Sequence, residues 1–473
     1  MKTKKVAINY LYNLSYQLLA VILPVITMPY IARTLKADAI GAYSYTHSIA
    51  FYFSLFGIMG LNMYGQLQIA KNRDDKEKLA KTFWGVWGAK LITSVISIVA
   101  FCILILFSSQ YKLLFLTYIV LLMANIFDIS WLFQGIEEFK IIVIRNYIIK
   151  ILSLILILVL IKTEKDLLLY SLIMQGSTFL GNASLWISIN KRLCKVKREE
   201  VKVLIHLKGA LPFFLPAIMS SIYTTMDKVM LGLIVESEYE NGIYDQAHKI
   251  EQTASTVVSS LSTVLLPRMS YLFNNGQEKE YKKYLGNALG VVGLLSIPMM
   301  TGLCAISNTF VPIFLGSEFT ECSNLLKIFS VLIFISGINT IIGNQCLVAQ
   351  GKQKQYNIGV CVGAIVNVVL NYVMIPFIKS YGAAIASVIA EVIIFVAFVI
   401  FSKNSIRVRN LFSIWYRIII SAFLMGICVY LLQAKLRVSV LSLIIDIIIG
   451  IVVYCICLFL FREPQLKKIR IKH

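Results

Sequence analysis

Charge is scarce in this sequence. Only 15% of its 473 residues are Asp, Glu, Lys or Arg, against 58% apolar types, and the mean hydropathy is +0.78. A soluble domain of this length could not bury so much apolar surface, whereas a chain dissolved in a bilayer does not need to. Long polar segments are missing too, which leaves no room for a separate soluble domain. No phosphate-cradling glycine loop follows a strand-like run, no Cys/His/Asp/Glu cluster has metal-ligand spacing, and no nucleophile stands beside a base at a motif spacing. The chain therefore reads as a non-enzyme without a cofactor or the motor of a primary pump. Any transport it performs would be driven by a proton or sodium gradient or by the substrate's own gradient. The nine cysteines are scattered, mostly inside apolar runs, and read as inert thiols, with a Cys304–Cys322 disulfide as the minor alternative.

Acids are the scarcer charge, 24 against 45 Lys and Arg, for a net charge of +21. In a soluble protein that excess would suggest nucleic acid; here the placement of the bases points to membrane topology, with no nucleic-acid partner. A helix needs roughly 20 mainly apolar residues to cross the hydrocarbon core. By that ruler the chain offers fourteen spans, near 7–34, 40–66, 82–107, 113–135, 141–161, 167–190, 209–235, 242–272, 284–314, 323–349, 356–377, 381–402, 412–433 and 439–461. The first resembles a signal peptide, but Asn9, Asn13 and Gln17 and its length make it a retained helix. With Arg33, Arg145 and Arg268, near span ends, counted with the loops they adjoin, the two termini and the even-numbered loops hold 31 of the 45 bases, the odd-numbered loops 8 and the helices 6. The positive-inside rule then places both termini in the cytoplasm, with loops such as 71–81 (KNRDDKEKLAK) and 191–202 (KRLCKVKREEVK). These loops can also meet anionic lipid heads.

A short phrase occurs twice. Residues 40–49 (IGAYSYTHSI) return 201 positions later as 241–250 (NGIYDQAHKI), with Gly, Tyr, His and Ile at the same four places in a chain of only four histidines. Both copies open an even-numbered span, the second and the eighth. An offset of six helices preserves membrane orientation, as in transporters built from parallel repeats with substrate sites between the halves. The expected class is an all-α integral membrane protein with fourteen transmembrane helices: two pseudo-two-fold-related six-helix bundles and two C-terminal helices. The lobes are 1–206 and 207–404, followed by 405–473 with the last two helices and a basic cytoplasmic tail. The pairs Gly359/Gly363 and Gly286/Gly290 would permit close helix contact.

Polar residues inside the spans mark what the helices surround. Helix 1 carries Asn9, Asn13, Gln17 and Thr27; helix 2 carries Tyr43, His47 and Ser54; helix 7 carries Ser220, Tyr223, Asp227 and Lys228 after Pro212 and Pro216. Helix 8 is the most polar, with Asp245, His248, Lys249, Gln252, Thr256, Ser259 and Thr263 on one stripe. These four helices are expected to wall a hydrated cavity. At 1.5 Å per residue, Asp227 lies about 12 Å below the outer end of helix 7, and His248 about 10 Å below that of helix 8, with Arg33 close above. Cross-bundle pairs in this layer are expected to gate the cavity, against the plainer reading that Asp227 and Lys228 neutralise neighbours within one bundle. The histidines could carry protons or simply be satisfied packing residues. Lys90, Lys150, Lys327, Asp128, Glu391 and Asp446 also fall within spans, and Glu391, near mid-helix, has no partner that sequence can name.

Several stretches resemble the polysaccharide flippase (Wzx/RfbX-type) family of the multidrug/oligosaccharidyl-lipid/polysaccharide exporter superfamily. They are 24–49 (PVITMPYIARTLKADAIGAYSYTHSI), 225–234 (TMDKVMLGLI) running into 242–250, 363–376 (GAIVNVVLNYVMIP) and 381–391 (YGAAIASVIAE). The resemblance implies translocation of undecaprenyl-pyrophosphate-linked oligosaccharide repeat units across the bacterial cytoplasmic membrane by alternating access, for capsule- or O-antigen-type polysaccharide. It implies a cationic cavity in which Arg33, Lys228, His248 and Lys249 meet pyrophosphate or acidic sugars. Tyr43, His47, Tyr223 and Gln252 would line that cavity, and Asp227, Asp245 and Glu391 would serve gating or ion coupling. Tyr43, Tyr45, Tyr223 and Tyr244 could stack on sugar faces. Partners would be the lipid-linked oligosaccharide, membrane lipids, and a polysaccharide polymerase and glycosyltransferases. One departure stands out: residues 64–70 read YGQLQIA, where such proteins often carry a Tyr-Gly-x-Arg-Glu-Ile-Ala-like run, so no role of that charged pair carries over. The alternatives are an ion-coupled multidrug or metabolite exporter on the same scaffold, a peptidoglycan lipid-precursor flippase, and a non-transporting scaffold for polysaccharide assembly.

Overall fold

A computed structural model describes the backbone of residues 2–194, 196–197, 200–403 and 408–465, and their side chains apart from those of 2–21, 190–191, 223, 261, 263–264 and 408–411. Among the described residues there are helices and no strands, as expected of a chain whose backbone must satisfy its own hydrogen bonds in lipid. The chain divides by packing into two units, Met1–Val229 and Met230–His473. The first contains α1 (Lys2–Ile58), α2 (Leu61–Asn72), α3 (Lys76–Phe107), α4 (Lys112–Phe127), α5 (Ser130–Gly135), α6 (Phe139–Leu160), α7 (Leu167–Ser184) and most of α8 (Val203–Val235). The second contains α9 (Glu238–Asn274), α10 (Glu278–Phe314), α11 (Cys322–Ile341), α12 (Gln353–Phe401), α13 (Val408–Gln433) and α14 (Val440–Leu460).

Ten helical stretches among the described residues are long and apolar enough to cross a membrane. That tally takes each of two bent helices as one and leaves out α7 and α9, the latter with a polar stripe that lowers its hydropathy. The bends replace two expected loops. At 35–39 the helix continues through a single left-handed residue, Lys36 (φ 64°), whose ammonium pairs with Glu164. At 378–380 it continues through Ile378 and Lys379 (φ 46°). There Glu240 accepts from the Ser380 hydroxyl at 2.5 Å and lies 3.3 Å from the Lys379 ammonium. Positive φ is costly for side-chain-bearing residues, and in both cases an acidic partner anchors the lysine concerned.

Within the first unit the core on one side gathers Phe83, Trp131, Leu132, Phe133 and Tyr64, with Trp84, Trp87 and Trp186 packed against it. The helix α8, the seventh span expected from the sequence, joins this core. A Cβ on Gly209 would come within 2.5 Å of the Tyr64 ring, and the Tyr64 hydroxyl lies 3.0 Å from Nδ1 of His206. Gly60, at φ +72°, lets the end of α1 approach the Phe214 amide. By packing, α8 thus belongs with the first unit up to Val229, although the repeat assigns it to the second lobe.

In the second unit α13 and α14 lie against α10. The Trp415 indole donates to the Leu289 carbonyl at 2.9 Å, and the Tyr454 hydroxyl donates to that of Leu294 at 2.9 Å. Gly359 and Gly363 do admit close neighbours, the side chains of Phe398 and Ile394 from the far half of α12. Gly290 admits Gln465, while Gly286 has open space beside it, so that pair is not a helix contact. All nine cysteines are free thiols.

Candidate functional site

The repeated phrase produces a repeated arrangement. In α1 the rings of Tyr43 and His47, one turn apart, lie 5.7 Å from centroid to centroid, and His47 meets Tyr118 of α4 at 5.8 Å. In α9 Tyr244 and His248 lie 5.9 Å apart, and His248 meets Phe329 of α11 at 5.4 Å. Each unit thus holds the same triad of rings, built from its own helices. Tyr43 is buried; its carbonyl accepts from the Tyr118 hydroxyl at 3.1 Å, and its hydroxyl accepts from Gln175 at 3.3 Å. Tyr244 is buried as well, and the Tyr45 ring meets Tyr111 at 5.8 Å. The expectation that Tyr43 and Tyr244 stack on sugars finds no open ring face, because packing inside their own units encloses them. The side chain of Tyr223 lies outside the described residues.

Further along α9 the stripe opens outward. Asp245 is buried and forms an ion pair with Lys249 at 2.5 Å, one turn away, while the Lys249 side chain stays 38% exposed. Gln252 and Thr256 are exposed, and the Gln252 amide lies 3.4 Å from Nε2 of His248. The result is a half-open cation, an amide and a hydroxyl on one helix face, a set that can offer donors to an anion or a sugar. Glu251, Val258 and Ser262 occupy the buried side of α9.

Glu391 acquires the partners that sequence could not name. Its Oε1 accepts from the Ser336 hydroxyl at 2.8 Å, and its Oε2 and carbonyl accept from the Asn339 amide, the latter at 2.9 Å. Glu251, also buried and accepting from Ser255 at 2.5 Å, is within electrostatic reach of Glu391. Two buried carboxyl groups, on α9 and α12, thus lie within electrostatic reach of each other, each held by its own hydroxyl or amide donors. Glu251 escaped sequence reading because it lies off the conspicuous stripe; its three-residue spacing from His248 was the available signal.

In the first unit Arg33 is exposed, near the bend at Lys36, and Lys228 is half-buried. Asp227 is buried within electrostatic reach of Tyr52, whose hydroxyl donates to the Ser221 carbonyl at 3.2 Å. A separate cluster, seen in sequence only as two stray charges, joins Lys90 to Asp128. The Lys90 ammonium donates to Asn62 Oδ1 at 2.7 Å and the Asp128 carbonyl at 2.8 Å, with the Asp128 carboxylate at 3.7 Å. Asn62 and the Ser130 amide complete that carboxylate's hydrogen bonds, where the chain breaks between α4 and α5. This is a satisfied structural strut. No group of three metal-ligating side chains occurs among the described residues.

Known proteins agree with this architecture. A family profile described as "Polysaccharide biosynthesis protein" matches residues 6–273, and one described as MatE matches 212–373. The chain is 24% identical over 375 residues to a provisionally named O-antigen transporter of Shigella dysenteriae, covering 78% of this chain and 93% of that protein. It is 22% identical over 415 residues to a second of that name from Escherichia coli (strain K12), covering 86% and 99%. Its fold is similar to that of the lipid II flippase MurJ in an inward-closed conformation, with TM-score 0.75, 18% identity, and coverage of 97% of this chain and 100% of that one. An inward-facing MATE-family multidrug transporter follows at TM-score 0.57 and 15% identity, with 81% and 98% covered. With more than half its length matched by the profile, this chain belongs to the polysaccharide biosynthesis protein family, the multi-pass membrane proteins of Wzx type.

Proposed function

We propose that the chain is a flippase for lipid-linked oligosaccharides, carrying undecaprenyl-pyrophosphate-linked repeat units across the bacterial cytoplasmic membrane for surface polysaccharide assembly. The observation that carries this reading is the half-open face of α9, where a half-buried Lys249 stands beside the exposed Gln252 and Thr256 in a chain otherwise built for lipid. A sugar–pyrophosphate head is large, hydrated and anionic, and needs such a face to pass a medium in which charge is costly. The family profile and the names of the relatives support the substrate class. Lys249 would meet the phosphates or acidic sugars first, with Arg33 and Lys228 as further cations, and His248 and its counterpart His47 would pack behind that layer. The polar face would be exposed alternately to the two sides of the membrane, with both termini cytoplasmic. A proton or sodium ion taken up beside Glu391 and Glu251 would relieve repulsion between like charges and so couple transport to a gradient; Asp227 and Asp245 remain the gating candidates. A polysaccharide polymerase and glycosyltransferases would act on the same substrate.

The test is genetic and biochemical. Removing the gene should trap lipid-linked oligosaccharide in the inner leaflet and abolish the surface polysaccharide. Normal surface polysaccharide in that strain, with no redundant transporter, would remove the proposal. The match of residues 212–373 to the MatE profile favours one second reading, an exporter of small molecules on the same fold. Resistance to cationic drugs that depends on the gene, with polysaccharide unaffected, would select it.

A further inference from the structure

The last two helices enclose a cavity against α10 that the flippase reading does not use. It measures about 410 Å³ and is lined almost wholly by apolar side chains, among them Met299, Met425 and Gly450. That volume falls within the range of small-molecule sites, roughly 300–1,000 Å³. The exception in the lining is Asp446, on α14, which is 1% exposed and has neither carboxylate oxygen hydrogen-bonded. The Gln433 amide lies in its neighbourhood but outside hydrogen-bonding geometry. Two acceptor oxygens are thus held in an apolar chamber with no hydrogen bond made to them, an arrangement that is costly in lipid.

The position of the chamber narrows what could supply the donors. Asp446 lies about 10 Å along α14 from its start, beside the end of α13, so it sits near one membrane face. Ile447 and Ile451 edge the same cavity and are 43% and 58% exposed on the outside of the helices, which opens the chamber toward lipid. A purely aliphatic occupant would leave Asp446 unsatisfied, and one whose only charge is negative, including a polyprenyl pyrophosphate, would meet a like charge. A primary ammonium supplies three donors and the opposite charge.

We propose that this chamber is a binding site for an aminolipid of the bilayer, with its ammonium on Asp446 and its aliphatic chain leaving past Ile447 and Ile451. The site is independent of the oligosaccharide substrate, and a loss of one leaves the other standing. The test is thermal unfolding of the full-length chain in neutral detergent, titrated with hexadecylamine, hexadecanol and palmitate, together with native mass spectrometry from bilayers of phosphatidylethanolamine or phosphatidylglycerol. The amine should raise the midpoint saturably and palmitate should not, and phosphatidylethanolamine should be the lipid retained. Asp446→Asn should weaken the amine response about tenfold, the effect of losing one charge-assisted hydrogen bond. Gly450→Leu, which fills the chamber without touching the charge, should abolish saturation. Equal responses to all three amphiphiles, or none to the amine, would overturn the proposal without reference to any variant. An undiminished amine response in both variants would do the same.

Discussion

His248 lies with its ring centroid 5.4 Å from that of Phe329, on a helix two elements further along the chain. His47 and Tyr118 repeat that relationship at 5.8 Å in the other unit. Duplication thus reaches beyond a ten-residue phrase to the partner ring, whose identity changed while its place was kept. Such contacts favour a packing role for both histidines over a proton-carrying one. His248→Phe should therefore retain transport, while His248→Ala should cost about 1 kcal/mol of stability. Surface polysaccharide and unfolding midpoints of the two variants decide between the roles, because a proton carrier would fail in both.

Glu391 and Glu251 should act as a pair. Glu391→Gln keeps the shape, the hydrogen bond from Ser336 and that from Asn339 to the backbone carbonyl, while it gives up the second carboxylate acceptor toward Asn339 and removes the charge. Flux in reconstituted vesicles should fall at least about tenfold when a gradient is imposed, with little change in gradient-free exchange. Equal loss in both conditions would assign the residue to folding or substrate binding.

Lys249 should matter by sign as well as by shape. Lys249→Glu places a second carboxylate beside the buried Asp245, so binding of a pyrophosphate-bearing lipid should weaken by about tenfold or more, whereas Lys249→Arg should keep most of it. Titration of the purified protein with such a lipid checks this. Equal affinity of the two variants would take Lys249 out of the site.

The Lys90 strut predicts a stability effect without a transport signature. Lys90→Met leaves the part-buried Asp128 carboxylate without the cation beside it, which should destabilise the protein by up to about 3 kcal/mol. Lys90→Met with Asp128→Asn should recover most of that loss. Unfolding midpoints of the single and double variants measure the coupling.

Outside the membrane, Asp75 caps α3. The Lys78 and Glu77 amides donate to its Oδ1, each at 3.1 Å. These bonds, that from the Lys78 amide foremost, together with the Lys78 ammonium, hold its carboxyl below the ordinary value. A carboxyl lowered on folding stabilises the native state above its unfolded pKa, and the contribution is lost as pH falls through the folded value. Hydrogen exchange at the first turn of α3, taken relative to the intrinsic rate at each pH, should therefore quicken below about pH 4 and no earlier. In Asp75→Ala it should already be fast at neutral pH.

Much of this protein was legible without coordinates. Its apolar content, the spacing of its bases and the duplicated phrase determined that it is a helical membrane protein built from related halves. Each of those signals is local or compositional: a span is recognised by its own 20 or so residues, and a repeat by comparing two short strings. The α9 stripe belongs to the same class, since one helix's period places Lys249, Gln252 and Thr256 on one side.

Partnership was decided elsewhere. Glu391 meets Ser336 and Asn339, 55 and 52 residues away, and nothing in their sequence neighbourhoods announces it. The seventh helix packs with the first unit, and Asp446 closes on a chamber formed with α10. The reason lies in the solvent: against water, a helix shows its buried face by being apolar there, but in a bilayer the lipid-facing side is apolar as well. Ile451, open to the outside, and Ile375, wholly enclosed, are the same residue type in equally apolar runs. Only the tertiary structure tells them apart, and with them which polar groups end up face to face.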